Sequence, residues 1–167
     1  AVSARGGPPI VVAHSLGGRV AATAAASVGK HWRGVVLVDS ALGPTAVVNA
    51  LGDSASIPAA SAYESAAVAL QRFRLRPSQP NSLPYVVDHI AQTSLRETER
   101  GWEWKFDPKT RLRGEGITAE TLGRIKCDVM LVRAENGRVA KNAGEWLSSS
   151  VGRPVPVVEI PLAYHHV

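Results

Sequence analysis

Residues 9–18 read Pro9-Ile10-Val11-Val12-Ala13-His14-Ser15-Leu16-Gly17-Gly18, and this stretch decides the fold. Pro9 to Ala13 is short, apolar and rich in β-branched residues, which suits a buried strand and is too brief for a helix. Leu16 to Val28 is Ala-rich and closes at Gly29, which predicts a helix with glycine at its C-terminal end. Ser15 therefore sits at a tight strand-to-helix turn, the arrangement of a nucleophile elbow, where strained dihedrals push the hydroxyl above the sheet. Ala13 and Gly17, two residues to either side, are small, as expected where larger side chains would collide. Leu16 presents its backbone N–H at the helix start, where the dipole favours a developing oxyanion.

Working outward, Gly34-Val35-Val36-Leu37-Val38-Asp39 predicts a second buried strand with an acid at its end. Both strands lack in/out alternation, as in a parallel sheet covered by helices on both faces. From Ser40 to about Gly116 the regular alternation stops. Ser61-Ala62-Tyr63-Glu64 has capping-box spacing for a helix running towards Arg76. Ser82 is a candidate cap for another, with Pro84 in its first turn. Gly101-Trp102-Glu103-Trp104-Lys105-Phe106-Asp107-Pro108 alternates and reads as extended. Such an insertion is too long for a simple crossover and predicts a helical cap. Ile117 to Ile125 then reads as a helix capped by Thr118, Asp128 to Arg133 as a third strand, Asn142 to Ser150 as a helix, and Val155 to Ile160 as a fourth strand begun by Pro156. The expected organisation is a core at 1–44 carrying the elbow, a cap at 45–116, and the remaining core strands at 117–167.

A serine hydroxyl is a poor nucleophile near neutral pH and needs a base oriented by an acid. His165 and His166 lie just beyond the last strand, and parallel strands share their carboxyl edge, so either can reach Ser15. His165 is the first candidate and His166 the alternative. His14, inside the elbow, is expected to pack or hydrogen-bond beside the site, while His31 and His89 read as ordinary helix or surface residues. Two acids stand at strand ends, Asp39 and Glu135. Trp102 and Trp104 are candidate substrate-lining residues of the cap, with packing inside the cap as the plainer role.

Composition narrows the classes. With 167 residues and 45% hydrophobic content the chain can build one core. No apolar run approaches the ~20 residues of a membrane span. A single cysteine, Cys127, excludes a disulfide framework and a cysteine-built zinc site, which fits a reducing, cytoplasmic setting. The net charge of +5 comes mainly from scattered arginines. Its densest point, Arg72-Phe73-Arg74-Leu75-Arg76, is too short for a nucleic-acid recognition module.

These residues together resemble the α/β-hydrolase superfamily in its serine esterase-like branch. Val12-Ala13-His14-Ser15-Leu16-Gly17-Gly18 is similar to the family's elbow, and Val38-Asp39 with Gly43-Pro44 to its sixth strand. Leu131-Val132-Arg133-Ala134-Glu135 resembles the seventh strand. Ile160-Pro161-Leu162-Ala163-Tyr164-His165-His166 resembles the Gly-His ending, with Tyr164 in place of the usual Gly. Trp102 to Pro108 is similar to the cap of one esterase-like branch. The resemblance implies a partial α/β-hydrolase fold of about four parallel strands with flanking helices and a helical cap insertion. It implies Ser15 as nucleophile, His165 as base and Leu16 as an oxyanion donor. The family's usual Gly-x-x-Asp after strand seven reads Ala134-Glu135-Asn136-Gly137 here. Asp39, 24 residues beyond Ser15, matches the alternative acid position after strand six and is preferred to Glu135.

The implied activity is hydrolysis of a small-molecule carboxylic ester through an acyl-enzyme, with no metal or organic cofactor. The same triad also serves cofactor-free haloperoxidases or perhydrolases and C–C hydrolases, and a non-catalytic binding or receptor module could retain it. Oligomeric state is not readable from the sequence. The resemblance further implies a piece of a larger hydrolase, with about 80–100 residues ahead of Ala1 and about 20 beyond Val167. The second oxyanion donor, normally supplied by an earlier loop, would then lie outside this chain, leaving an inactive fragment as a further expectation.

Overall fold

The computed structural model describes residues 6–43, 62–80, 82–107 and 117–167. The chain divides into two compact units, one formed by Ala1–Val47 with Glu115–Val167 and the other by Val48–Gly114. The first unit begins with strand β1 (Ile10–His14), helix α1 (Leu16–Val28) and, after a short 3-10 turn at Gly29–His31, strand β2 (Gly34–Val38). The second unit holds helices α2 (Ala66–Gln71) and α3 (Pro84–Thr93) and strands β3 (Leu95–Thr98) and β4 (Gly101–Trp104). The chain returns to the first unit through α4 (Ala119–Gly123), β5 (Asp128–Asn136), α5 (Ala143–Val151) and β6 (Val157–Tyr164).

The four strands of the first unit form one parallel sheet in the order β1-β2-β5-β6. β2 and β5 are central, and Val35, Leu37, Val129 and Leu131 are buried. Each such aliphatic side chain removed from water contributes about 1.5–3 kcal/mol. α1 packs on the sheet through Ala21, Ala22 and Ala25, whose small side chains allow a close approach. Leu122 and Ile125 around α4, and Leu147 and Val151 on α5, complete this core. Burial on both faces holds for β2 but not for β1. As a sheet edge, β1 leaves Ile10 and Val12 exposed, and on the other edge β6 leaves Val157, Val158 and Ile160 exposed.

Element ends show where local sequence signals were overridden. The helix after the elbow spans Leu16–Val28 as its composition predicts, but Gly29 takes ordinary helical dihedrals and continues into the 3-10 turn instead of stopping the helix. The cap of α2 is Ser65, whose Oγ accepts from Val68 N at 3.3 Å. Ser61, the expected cap, lies outside the described residues, and Tyr63 is instead bridged to Trp102. α3 starts from Leu83 with Pro84 in its first turn, and Ser82 makes no capping bond. Thr118 caps α4 as predicted, accepting from Thr121 N at 3.1 Å. The aromatic stretch at 101–104 is extended as expected, but it is one arm of an antiparallel hairpin with β3, so the second unit is not wholly helical. Leu95–Thr98 shows no clean alternation of its own and becomes a strand only by pairing.

The glycines of the elbow relieve crowding at a different position from the one predicted. A Cβ on Gly17 meets nothing within 4 Å among the described residues, whereas a Cβ on Gly18 would lie under 3 Å from Ser40 Cβ and Oγ. Ser40, just past β2, is itself buried and donates to the carbonyls of Val38 (3.0 Å) and Ala13 (3.3 Å), tying the ends of the first two strands together. Gly18→Ala is therefore expected to destabilise the chain by about 1–3 kcal/mol through overpacking, and Gly17→Ala by less than half as much. Urea unfolding of the two variants, with equal midpoints as the contrary result, checks this.

Candidate active site

The parallel register sets the spatial order of the site. His14 pairs with Val38 and Val38 with Val132, so the residues that follow β1 and β2 emerge side by side at the carboxyl edge of the sheet. The ladder runs one step past the strands. Ser15 N donates to Val38 O at 3.0 Å and Asp39 N to Val132 O at 2.7 Å. Both residues then leave the sheet with positive φ, 52° at Ser15 and 36° at Asp39, which few side-chain-bearing residues adopt. Ser15 occupies the N-cap of α1 with ψ of −123°, yet its hydroxyl makes no capping bond to the helix.

That hydroxyl faces His165 instead. Ser15 Oγ lies 2.8 Å from His165 Nε2, and His165 Nδ1 lies 2.6 Å from Asp39 Oδ2. A carboxylate only accepts, so Nδ1 carries the proton and, in the neutral ring, Nε2 holds the lone pair that accepts the Ser15 hydroxyl proton. Ser15, His165 and Asp39, three of the residues singled out in the sequence, are thus joined in one hydrogen-bonded line across residues 15, 39 and 165.

Asp39 is fully buried. Burial by itself would raise its pKa. The hydrogen bond from His165, the amides of Arg138 and Ala134, and the positive charge available to His165 outweigh that effect and hold the carboxyl below its ordinary value of 3.8. The two amides bind at 2.9 Å (Arg138 N to Oδ2) and 3.2 Å (Ala134 N to Oδ1). Both belong to the segment after the middle of β5, where the family pattern has its usual acid. This chain uses that segment to cradle a carboxylate. Gly137 belongs to the same device, since a Cβ there would come under 3 Å from the Asp39 carboxylate. Arg133 steadies the turn. Its guanidinium donates to Val139 O at 3.3 Å and is ion-paired with Glu159 on the neighbouring strand. The amides of Ala134 and Arg138 and the bare Gly137 were not singled out in the sequence. The only available signal was a glycine just beyond a strand end.

Glu135 has a different partner from the imidazole. Its Oε2 accepts from Leu162 N at 2.7 Å. The β5–β6 register shifts between Ala134 and Asn136, which pair with Ile160 and Tyr164, so four steps of β6 run beside two of β5. Leu162 sits in that bulge with φ of 57°. Glu135 thus holds the bulge that leads β6 into His165. His14 lies beside the line, its Nε2–H donating to His165 O at 2.7 Å. The rings of His14, His165 and His166 form a triangle with centroids 4.8, 5.0 and 5.8 Å apart. His166 packs edge-on against His165, and it is His165 that carries both bonds of the line. Leu16 opens α1 beside Ser15, with its N–H at the helix start. Trp102 and Trp104 belong to the second unit. There Trp102 exchanges backbone hydrogen bonds with Tyr63, and the Trp104 ring packs against Tyr63 and Phe73.

The family model for the alpha/beta hydrolase family matches residues 1–167. A comparison with curated protein sequences gives no significant match. Among solved structures, E-2-(acetamidomethylene)succinate hydrolase is similar with a TM-score of 0.74 at 24% identity, over 99% of this chain and 62% of that one. The M. tuberculosis esterase Rv0045c gives 0.74 at 20% identity, over 93% of this chain and 56% of that one. The thioesterase domain from the curacin biosynthetic pathway gives 0.65 at 23% identity, over 95% and 59%. The chain therefore spans less than two thirds of the length of each of these structures. Among the described residues, no helix is long and apolar enough to cross a membrane.

Because the folded pKa of Asp39 lies below its unfolded value, the group contributes stability above the ordinary carboxylate range, and that contribution is lost as pH falls through the folded pKa. Stability of the chain is expected to fall as pH drops below about 4, with Asp39→Asn lacking that share of the acid slope. Denaturant midpoints from pH 7 to pH 2 for both proteins check it, and identical slopes are the contrary outcome.

Proposed function

The chain belongs to the alpha/beta hydrolase family, and from that premise we propose that it carries the catalytic line of a serine hydrolase acting on carboxylic esters. One observation carries this reading: the unbroken sequence of hydrogen bonds from Ser15 Oγ through His165 to the buried Asp39 carboxylate. Ser15 Oγ attacks the ester carbonyl carbon while His165 Nε2 takes its proton. Asp39, kept ionised by its amide cradle, stabilises the imidazolium that forms. The Leu16 N–H, at the helix start, supports the oxyanion of the tetrahedral intermediate. His165 then returns its proton to the departing alkoxide, leaving an acyl group on Ser15. A water gives its proton to His165 and attacks that acyl carbonyl; collapse of the second intermediate breaks the bond to Ser15 Oγ, which takes the proton back from His165 as the carboxylic acid leaves.

The names hydrolase, esterase and thioesterase borne by the structural neighbours are consistent with acyl transfer to a small-molecule substrate. The strained elbow supports Ser15 in the nucleophile's role, since the positive φ holds the hydroxyl off the helix and on the imidazole. We assign the acid's role to Asp39 and a tethering role to Glu135, because Asp39 bonds the imidazole and Glu135 bonds the Leu162 amide.

A fluorophosphonate probe is expected to label Ser15, with peptide mass spectrometry locating the adduct, and to leave Ser15→Ala unlabelled. Labelling elsewhere, or none in the full-length protein, overturns the reading. Hydrolysis of p-nitrophenyl esters should fall about 10⁴-fold in Asp39→Asn while Glu135→Gln, which keeps an acceptor for Leu162 N, stays within a few-fold of the parent. The reverse ranking would make Glu135 the acid. Gly137→Ala, which crowds the Asp39 carboxylate, is expected to lower kcat with little change in KM.

A further inference from the structure

We propose that His14 is a positioning residue for the proton transfer: its Nε2–H, bonded to the main-chain carbonyl of His165 at 2.7 Å, holds the base in place against the nucleophile. The role rests on the serine hydrolase reading above and is exerted through His165, not on the substrate. The bond joins residues 151 positions apart, one of them the immediate neighbour of Ser15 and the other the base itself.

Three features of the structure carry this role. The first is what each end of the bond is fixed to. His14 is the last residue of β1 and pairs in the ladder with Val38, and the residues that follow these two are Ser15 and Asp39. Its main chain is thus part of the sheet. His165 stands one step past β6, whose final ladder pair is Asn136 with Tyr164, so its own main chain has left the sheet. The second is that the other holds on this segment act elsewhere. Glu135 takes the Leu162 amide, three residues upstream, and Asp39 takes Nδ1 of the ring. Those bonds fix the bulge and the turn of the imidazole, and the carbonyl bond adds the place of the His165 main chain itself. The third is the choice of donor. A buried carbonyl past the end of a ladder needs a partner, and His14, an exposed residue, gives it the N–H that water could otherwise take.

The consequence is one of distance. Proton transfer needs Ser15 Oγ and His165 Nε2 within hydrogen-bond reach, and they stand 2.8 Å apart. Displacing a reacting group by about 1 Å costs up to about 100-fold in rate. Without the His14 bond the ring still has Asp39, but the main chain that carries it is free to drift from the elbow. The loss falls on kcat and on the reactivity of Ser15, and KM is left nearly unchanged because the carbonyl bond makes no contact with substrate.

Two replacements in the full-length protein separate the bond from the ring. His14→Phe keeps an aromatic ring against those of His165 and His166, whose centroids lie 4.8 and 5.8 Å away, but has no N–H. His14→Gln has no aromatic ring but offers an amide N–H at about the reach of the imidazole Nε2–H. His14→Phe is expected to lower kcat for p-nitrophenyl esters and the fluorophosphonate labelling rate about 10- to 100-fold, with KM within about two-fold of the parent. His14→Gln should return both rates to within about five-fold of the parent. Parent-like rates in His14→Phe, or a His14→Gln protein as slow as His14→Phe, overturn the proposal. A raised KM at unchanged kcat makes His14 a substrate contact and overturns it too. One measurement needs no turnover: the low-field NMR resonance of the proton between His165 Nδ1 and Asp39. It should be sharp in the parent and in His14→Gln, and broadened by faster exchange with water in His14→Phe. Equal line widths in all three proteins overturn the positioning role. A set of proteins that shows the expected line widths while the parent never labels overturns the serine hydrolase reading and leaves the hold on His165 standing.

Discussion

A fully buried carboxylate organises this structure. Asp39 has no water to solvate it, and an uncompensated buried charge is worth several kcal/mol against the folded state. Its compensation comes from three directions: the His165 imidazole, the Arg138 amide and the Ala134 amide. Each is supplied by a segment far away in the chain, 95 to 126 residues later. Satisfying one side chain therefore closes β2, the end of β5 and the end of β6 onto each other. The space for it depends on Gly137 having no side chain.

The parallel sheet makes that closure possible. Its strands run in the same direction, so the residues following β1, β2, β5 and β6 all leave at one edge. Two local distortions then do the aiming. At the first two strand ends, positive φ at Ser15 and Asp39 turns the chain out of the ladder. At the last, β6 carries a bulge whose Leu162 amide is held by Glu135, so that His165 swings back towards Ser15. The positive φ values fall at Ser15 and Asp39, just past the strand ends, and at Leu162 in the bulge, while β2 pairs in regular register with both of its neighbours.

Much of this was legible residue by residue. The apolar runs at 10–13 and 34–38 are strands because their β-branched side chains suit a sheet, although only 34–38 is covered on both faces, and the alanines of 21–26 suit a helix pressed closely on it. Ser15, His165 and Asp39 stood at strand ends in a parallel arrangement, which was enough to expect their meeting. Other signals misled. Ser61-Ala62-Tyr63-Glu64 has the spacing of a capping box, yet Tyr63 pairs with Trp102 and Ser65 caps the helix. Gly29 looks like a helix stop but keeps helical dihedrals. Gly17 holds the position that the elbow pattern marks as crowded, whereas the near approach of Ser40 falls on Gly18. In each instance a partner distant in sequence decided what a local pattern could only suggest.

The sequence by itself determined the element types of the sheet unit and the residue kinds available at its edge, because both follow from periodicity, side-chain shape and short-range turn chemistry. Tertiary structure alone decided which acid meets the histidine. Asp39 and Glu135 both stand at strand ends, and the family pattern favours Asp39 without showing which of them the histidine reaches. The distinction arises from placement: β5 and the turn after it offer two amides and a bare glycine to Asp39 at the end of β2, and β6 needs an acceptor for the extra amide in its bulge. One carboxylate is drawn under the imidazole and the other to the bulge, since each goes where unpaired donors are waiting.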